Sequence, residues 1–297
     1  TTGDGIQMNG TGAVVERVEV ENATGANGVV VNGDNAWVVR ADVRNTIARG
    51  IVVNGNNAFV VGNRTDQTNG GIQVTGNAPI VDKNRVTSTA GTQPGVQVTC
   101  TTCANGSVAK NRVENVQVGS GYRIAASGAG LAVDRNRAND TDGPGLDTTG
   151  STGLVVARNR VDDAGTTTEP CVQLVADAST VSRNKVRRCA GQGFFLDGTG
   201  NTVERNTAQD AGSDGFEVGP TSANTILSRN SARSNGTYGF EVADGATPAT
   251  NTTLDRNKAS KNILFDLCDE GIATALSSNN FPTAAPVVQD GTRDCVQ

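Results

Sequence analysis

Three carboxylates recur with the spacing of a structural repeat: Glu217, Glu241 and Asp266 each follow a phenylalanine, at intervals of 24 and 25 residues. If strands separated by that interval stack on one another, the acids stand about 4.8 Å apart. At that distance like charges raise at least one pKa or draw in a cation, for which calcium is a candidate. Two carboxylates about 5 to 9 Å apart are also what hydrolysis of a glycosidic bond needs. Arg123 and Asp147 hold the same place in two earlier intervals. They form either a salt bridge or an acid/base and substrate-clamp pair. Gln73, Gln97 and Gln173 fall in this column too, and their amide donors and acceptors suit sugar hydroxyls. Polar residues are equally what an exposed strand face requires, so the reading depends on the elements that position them.

Those elements are legible as a repeat. An asparagine, usually preceded by a basic residue, recurs as Asn63, Asn84, Asn111, Asn136, Asn159, Asn184, Asn206, Asn230 and Asn257, every 21 to 27 residues. Val18 and Ala41 take its place in the first two turns. A second landmark, glycine followed by apolar, any, apolar, runs from Gly5 to Gly239, with Cys171 and Leu264 standing in for glycine in two turns. The first position after the glycine is apolar throughout and the third nearly so, with Thr148 the exception. Three residues before the asparagine stands a valine or leucine, from Val15 to Leu254. Alternation with period two marks strands. Columns of like residues at a fixed interval, separated by Gly, Asn, Asp and Thr turns, mean strands stacking in parallel on their equivalents. The expected fold is all-β, a single-stranded parallel β-helix solenoid of about twelve turns over residues 1–267. Residues 268–297, with Phe281, Pro282 and Pro286, leave the pattern and read as an irregular C-terminal cap pinned by a disulfide.

The pattern Gly-Φ-x-Φ followed by Val-x-Arg-Asn-x-Val resembles the right-handed parallel β-helix repeat of the pectate lyase-like superfamily, over about residues 5–270. The resemblance implies a right-handed coil. That superfamily holds polysaccharide lyases, glycoside hydrolases, epimerases, phage tailspikes, adhesins and non-catalytic periplasmic proteins, so the fold alone does not name a reaction. Related enzymes often place their substrate groove on the outward column described above. The chain departs from the family's catalytic signatures: it has no histidine, which excludes the histidine motifs of polygalacturonases and alginate epimerases, and it lacks the arginine-proline-arginine pattern of classical pectate lyases. Members usually begin with a capping segment, whereas here the first repeat opens at once with Thr2-Gly3-Asp4-Gly5-Ile6. An upstream segment or a partner is therefore expected to cover the first turn.

Composition fits a solenoid. Only 36% of the 297 residues are apolar, with 37 glycines and 3% aromatics, because each short turn needs few inward side chains and many small corner residues. A net charge of −5 makes no case for nucleic acid, and no apolar run is long enough for membrane insertion. Six cysteines, at positions 100, 103, 171, 189, 268 and 295, point to disulfides in an oxidising compartment, hence a secreted or cell-surface protein. Cys100 with Cys103, Cys171 with Cys189 and Cys268 with Cys295 are the local pairings among fifteen connectivities. The lone CxxC lacks a second pair and any histidine, so no metal site is read from the cysteines.

Two surface patterns remain. Basic residues flank the asparagine column, ten before it and seven after, 17 of the 25 in the chain. They form either a ridge for a linear polyanion or, interleaved with Asp82, Asp134, Glu204 and Asp255, an ion-pair lattice. Val14, Trp37, Phe59 and Ile80 form an outward apolar column, with Trp37 and Phe59 placed to stack on sugar rings or to meet a partner. The expectation is an extracellular β-helix that binds an acidic polysaccharide; whether it also cleaves that chain is left open, and if it does, the reaction is of lyase or glycoside hydrolase type. Its candidate catalytic residues are Arg123, Asp147, Glu217, Glu241 and Asp266, and its candidate substrate contacts are Gln73, Gln97, Gln173, Trp37 and Phe59, with no organic cofactor. The alternative is a non-catalytic structural, adhesin or self-assembling module.

Overall fold

The computed structural model describes residues 3–166, 168–243 and 248–284. The described residues are strands and turns, and no helix among them is long and apolar enough to cross a membrane. The chain divides into two compact units, residues 1–151 and 152–297. Each unit is a parallel β-solenoid, and about twelve turns are counted over both. One turn carries three short strands on three faces. In the first turn these are Ile6–Asn9, Val14–Glu16 and Glu19–Glu21. They stack in register on Val29–Asn32, Trp37–Val39 and the beginning of Asp42–Asn54. In the second unit Val172–Asp177, Phe194–Asp197, Phe216–Val218 and Phe240–Val242 build the first face in the same way.

The corner between the second and third faces explains the asparagine column. The residue before the asparagine sits at φ of 52–56° in Lys83, Lys110, Arg135, Arg158, Arg183, Arg205, Arg229 and Arg256, as do Arg17 and Arg40 before Val18 and Ala41. A left-handed conformation costs a non-glycine residue about 1–2 kcal/mol. The buried amide that follows offsets it. Asn84 accepts from the backbone N–H and the amide of Asn63, both at 2.9 Å, and donates to Asn111 Oδ1 at 3.0 Å and to the Val60 carbonyl at 2.8 Å. Asn184, Asn206, Asn230 and Asn257 repeat the ladder in the second unit and end it on Asn279. Where an acid stands just before it, the exposed basic side chain pairs with that acid, as in Lys83 with Asp82 at 3.3 Å, Arg135 with Asp134 at 3.0 Å and Arg205 with Glu204 at 3.1 Å. This is the ion-pair lattice rather than a bare cationic ridge.

The core is filled by trading volume between faces. Where the first face carries Ile72 or Val96, the third face of the same turn carries Val86 or Val113; where it carries Tyr122, Phe194, Phe216 or Phe240, the third face carries Ala138, Ala208, Ala232 or Ala259, all buried. Interiors are close-packed, so a larger ring demands a smaller opposite partner. Glycine opens most first-face strands for the same reason. A Cβ on Gly215 would lie 2.8 Å from Ala232 Cβ and 2.7 Å from the Gly239 carbonyl oxygen. Thr148, the polar exception, is fully buried in its inward place.

The C-terminal turns depart from the expected register. Phe194, Phe216 and Phe240 stack with ring centroids 4.7 and 4.9 Å apart, but the next residue in line is Leu267, not Phe265. Asp266 occupies the place that glycine holds in earlier turns: Phe240 N donates to the Asp266 carbonyl as Phe216 N donates to that of Gly239. Phe281 caps the Phe240 ring at 5.3 Å, while Phe265 lies against Tyr238. Stacking also continues beyond 267, since Leu267–Asp269 pairs with Phe240–Val242 and Ala275–Ser277 with Thr253–Asp255. Disulfides join Cys100 to Cys103 and Cys171 to Cys189. Cys295, and with it the pairing to Cys268, lies outside the described residues.

Candidate functional site

Glu217 and Glu241 are direct register partners on the first face of the second unit. Each points outward because its strand neighbours, Phe216 with Val218 and Phe240 with Val242, point into the core. Between them comes Asp214, from the corner just before Gly215. One oxygen from each of Asp214, Glu217 and Glu241 lies within 4.8 Å of the others, a set that could hold a divalent cation. Asp214 is buried, and its oxygens accept from Ser213 Oγ at 2.8 Å, from the Tyr238 N–H at 2.9 Å and from the Thr237 hydroxyl. Gln192 donates its amide to Glu217 Oε2 at 2.6 Å, and its own Oε1 is buried without a partner.

The electrostatics follow from this crowding. Burial, then the charges of Asp214 and Glu217, push the Glu241 carboxyl up to about 9. Burial raises Glu217 as well, while the Gln192 amide acts in the opposite direction by stabilising its charged form. Crowding therefore favours the neutral form of Glu241, beside Glu217, whose Oε2 has its own donor in Gln192. Two neighbouring carboxyls whose surroundings favour the proton on one of them are what general acid catalysis uses.

The other expected residues are placed elsewhere. Asp266 is not the third carboxylate of the stack. It is buried in the glycine position of the last turn, where Oδ1 accepts from Asn262 Nδ2 at 2.7 Å and Oδ2 from the Thr283 N–H at 3.1 Å; Cys268 fills the column beside Glu241. Arg123 and Asp147 are register partners in the first unit, 3.7 Å apart. Asp147 Oδ1 is taken by the Thr149 N–H and hydroxyl at 2.9 and 2.7 Å, a local turn rather than an open acid. Gln73 and Gln97 are adjacent in the first unit, where a cleft of about 500 Å³ is lined by Asn27, Ile47, Arg49, Val52, Asn69, Gln73 and Gln93. Gln173 stands in register with Phe195 on a different turn from the acids. Trp37 and Phe59 lie on the second face, their rings 4.5 Å apart and Trp37 exposed. Reading only the outward column misses Asp214, Gln192 and Arg49. All three sit in the residue before the landmark glycine, a column that mixes polar residues with glycine and proline.

The family profile described as right handed beta helix region matches residues 4–161 and 168–283. The chain belongs to the right-handed β-helix family. As a right-handed β-helix it is similar to solved structures of the same fold. A point mutant of the periplasmic alginate epimerase AlgG aligns with TM-score 0.64 at 14% identity, covering 93% of this chain and 78% of that one. The receptor binding domain of the siphovirus 9NA tailspike aligns with TM-score 0.55 at 11% identity, covering 99% and 74%. No curated protein matches this β-helix in sequence.

Proposed function

We propose that this β-helix acts on glycan chains and that Glu241, Glu217 and Asp214 form a glycoside-hydrolysing centre. The observation that carries the reading is the Glu217–Glu241 register pair, half-buried, with Glu241 held protonated by burial and by its acidic neighbours. Glu241 gives its proton to the glycosidic oxygen as the bond to the anomeric carbon breaks. Glu217, its charge supported by Gln192, attacks that carbon and forms a glycosyl ester. A water then gives a proton back to Glu241 and cleaves the ester, so both carboxyls return to their starting states. Oxygens within 4.8 Å fit the carboxyl separation of about 5–5.5 Å found in retaining enzymes better than the wider gap of inverting ones. The alginate epimerase, a polysaccharide-acting protein on the same fold, supports a glycan partner. Two disulfides support a secreted or surface location.

The test is incubation of the full chain with neutral and acidic glycans, with and without calcium, following new reducing ends. Product that disappears in Glu217→Gln and Glu241→Gln supports the reading. No product on any glycan from demonstrably folded protein overturns it. The Trp37–Phe59 pair, with Trp37 exposed, favours a second reading, glycan binding without turnover on the second face. Quenching of Trp37 fluorescence by neutral oligosaccharides, lost in Phe59→Ala, would distinguish it.

A further inference from the structure

Arg49 is set apart from the other arginines of the first unit. Arg17, Arg44, Arg64, Arg85 and Arg112 each pair with a carboxylate. Arg49 Nη2 instead donates to two neutral acceptors, Gln97 Oε1 at 2.6 Å and Gln93 Oε1, while Nη1 is sealed from water without a hydrogen-bond partner. Burial lowers its basicity, and no acidic neighbour counteracts that. A guanidinium removed from water and faced only by amides has its charge uncompensated.

The backbone is shaped to put it there. In the strand Asp42–Asn54 the parallel register shifts between Thr46 and Arg49, an irregularity of the kind that re-aims a side chain. Its register partner is Gly70, where a Cβ would lie 3.3 Å from Arg49 Cγ and 2.6 Å from Gln93 Cβ. Only glycine lets Gln93 fold over the arginine. Gln93 itself is exposed, a neutral cover that a charged group can displace. The cleft of about 500 Å³ beside it falls in the range of small-ligand sites. Asn27, Asn69 and Gln73 line it with amides suited to hydroxyls, and Val52 and Ile47 with apolar surface suited to the face of a sugar ring.

We propose that this cleft is a binding subsite for a uronic acid residue, whose carboxylate pairs with Arg49 in place of the Gln93 amide. The sugar half of the inference rests on the glycan reading above; the carboxylate half rests on Arg49. The planar guanidinium fork matches a carboxylate better than an amide does.

The experiment is calorimetric titration of the full chain with trigalacturonate, its methyl ester and a neutral galactose trimer. Trigalacturonate is expected to bind about tenfold or more tightly than the ester or the neutral trimer, as loss of a charge-assisted pair implies. Arg49→Gln is expected to remove that preference, Arg49→Lys to keep part of it, and Gln93→Ala to preserve or tighten binding. Equal affinity for the acid and its ester, wild-type preference in folded Arg49→Gln, or no binding of trigalacturonate would each overturn the proposal. The ester comparison uses wild-type protein and decides even if Arg49→Gln does not fold. Uronate binding without turnover overturns only the hydrolase; turnover of neutral glycans without uronate preference overturns only the Arg49 subsite.

Discussion

The cleft of the first unit and the carboxylate cluster of the second are built from the same two columns and reach opposite electrostatics. The corner before the glycine and the outward place two residues after that glycine supply Asn27, Arg49, Gln73 and Gln97 in one unit and Gln192, Asp214, Glu217 and Glu241 in the other. In the first, one guanidinium meets only amides and has no acid partner. In the second, three acids crowd until one keeps its proton. The repeating backbone fixes where sockets fall, and substitution within the columns fixes what each can hold. The sharpest break between the units is chemical. Glu241→Gln and Glu217→Gln should each lower turnover by about 10²–10⁴-fold, the range typical of a lost acid or base. The far-ultraviolet circular dichroism of each variant should stay that of the wild type.

The next largest effect tests what the units share. Asn206 sits inside the buried ladder, donating to Asn230 Oδ1 at 3.1 Å and to the Val181 carbonyl at 2.9 Å, and accepting from Asn184. Asn206→Leu leaves those groups without partners, and an unsatisfied buried group costs about 1–3 kcal/mol. A loss of about 2–4 kcal/mol is expected from denaturant unfolding. Asn84→Leu should cost about the same in the first unit. A large difference between the two would show that the ladder is not the common support.

The ladder was legible from the sequence because its residues repeat, and so were the inward columns from Val15 to Leu254. Arg49 and Asp214 are harder to find because their column mixes residue types: Asp4, Asn27, Arg49, Gly70, Pro94 and later Pro144, Pro170, Gln192, Asp214, Tyr238. A column of mixed type looks like a loop when only recurring residues are aligned. Asp266 was misplaced for a related reason. The last turn has no glycine landmark, and alignment on Phe265 shifted the register by two residues, which assigned an outward acid to what is a buried corner residue. Volume trading between faces was hidden too, since Ala208 and Ala232 read as merely small until they are seen opposite Phe194 and Phe216.

That trading gives the third test. Ala232→Val adds methyl groups against the Phe216 ring and close to Gly215, and overpacking of this kind costs about 1–3 kcal/mol. The double variant Phe216→Ile with Ala232→Val recreates the pairing of the first unit and should recover most of the loss. Failure of the double variant to recover would mean that the phenylalanine stack, rather than summed volume, sets the packing of the second unit.

A smaller effect separates the units by pH. Glu241 has a higher pKa folded than unfolded, so it binds its proton more tightly in the native state. Its favourable contribution is complete below the ordinary value of 4.5 and drains away as pH rises toward about 9. Glu241→Gln removes that loss. The melting temperature of the variant should match the wild type near pH 4 and exceed it by about 2 °C or more at pH 8. Calcium bound by the three acids would offset the same repulsion, raising the wild-type melting temperature at pH 8 and leaving the variant unmoved.

The smallest effect decides whether the first unit carries a second acid pair. Arg123 is more than half exposed, its Nε is 3.7 Å from Asp147 Oδ2, and the other oxygen, Oδ1, is committed to Thr149. A surface pair of this geometry is worth about 0–1 kcal/mol. Arg123→Gln should therefore change stability by less than about 1 kcal/mol and leave turnover at the wild-type rate, and Asp147→Asn should do the same for turnover because its amide oxygen still accepts from Thr149. A loss of activity in Asp147→Asn as large as that in Glu217→Gln would move the chemistry to the first unit, next to Gln97 and in reach of the Arg49 column, and would make the carboxylate cluster of the second unit a purely electrostatic feature of its surface.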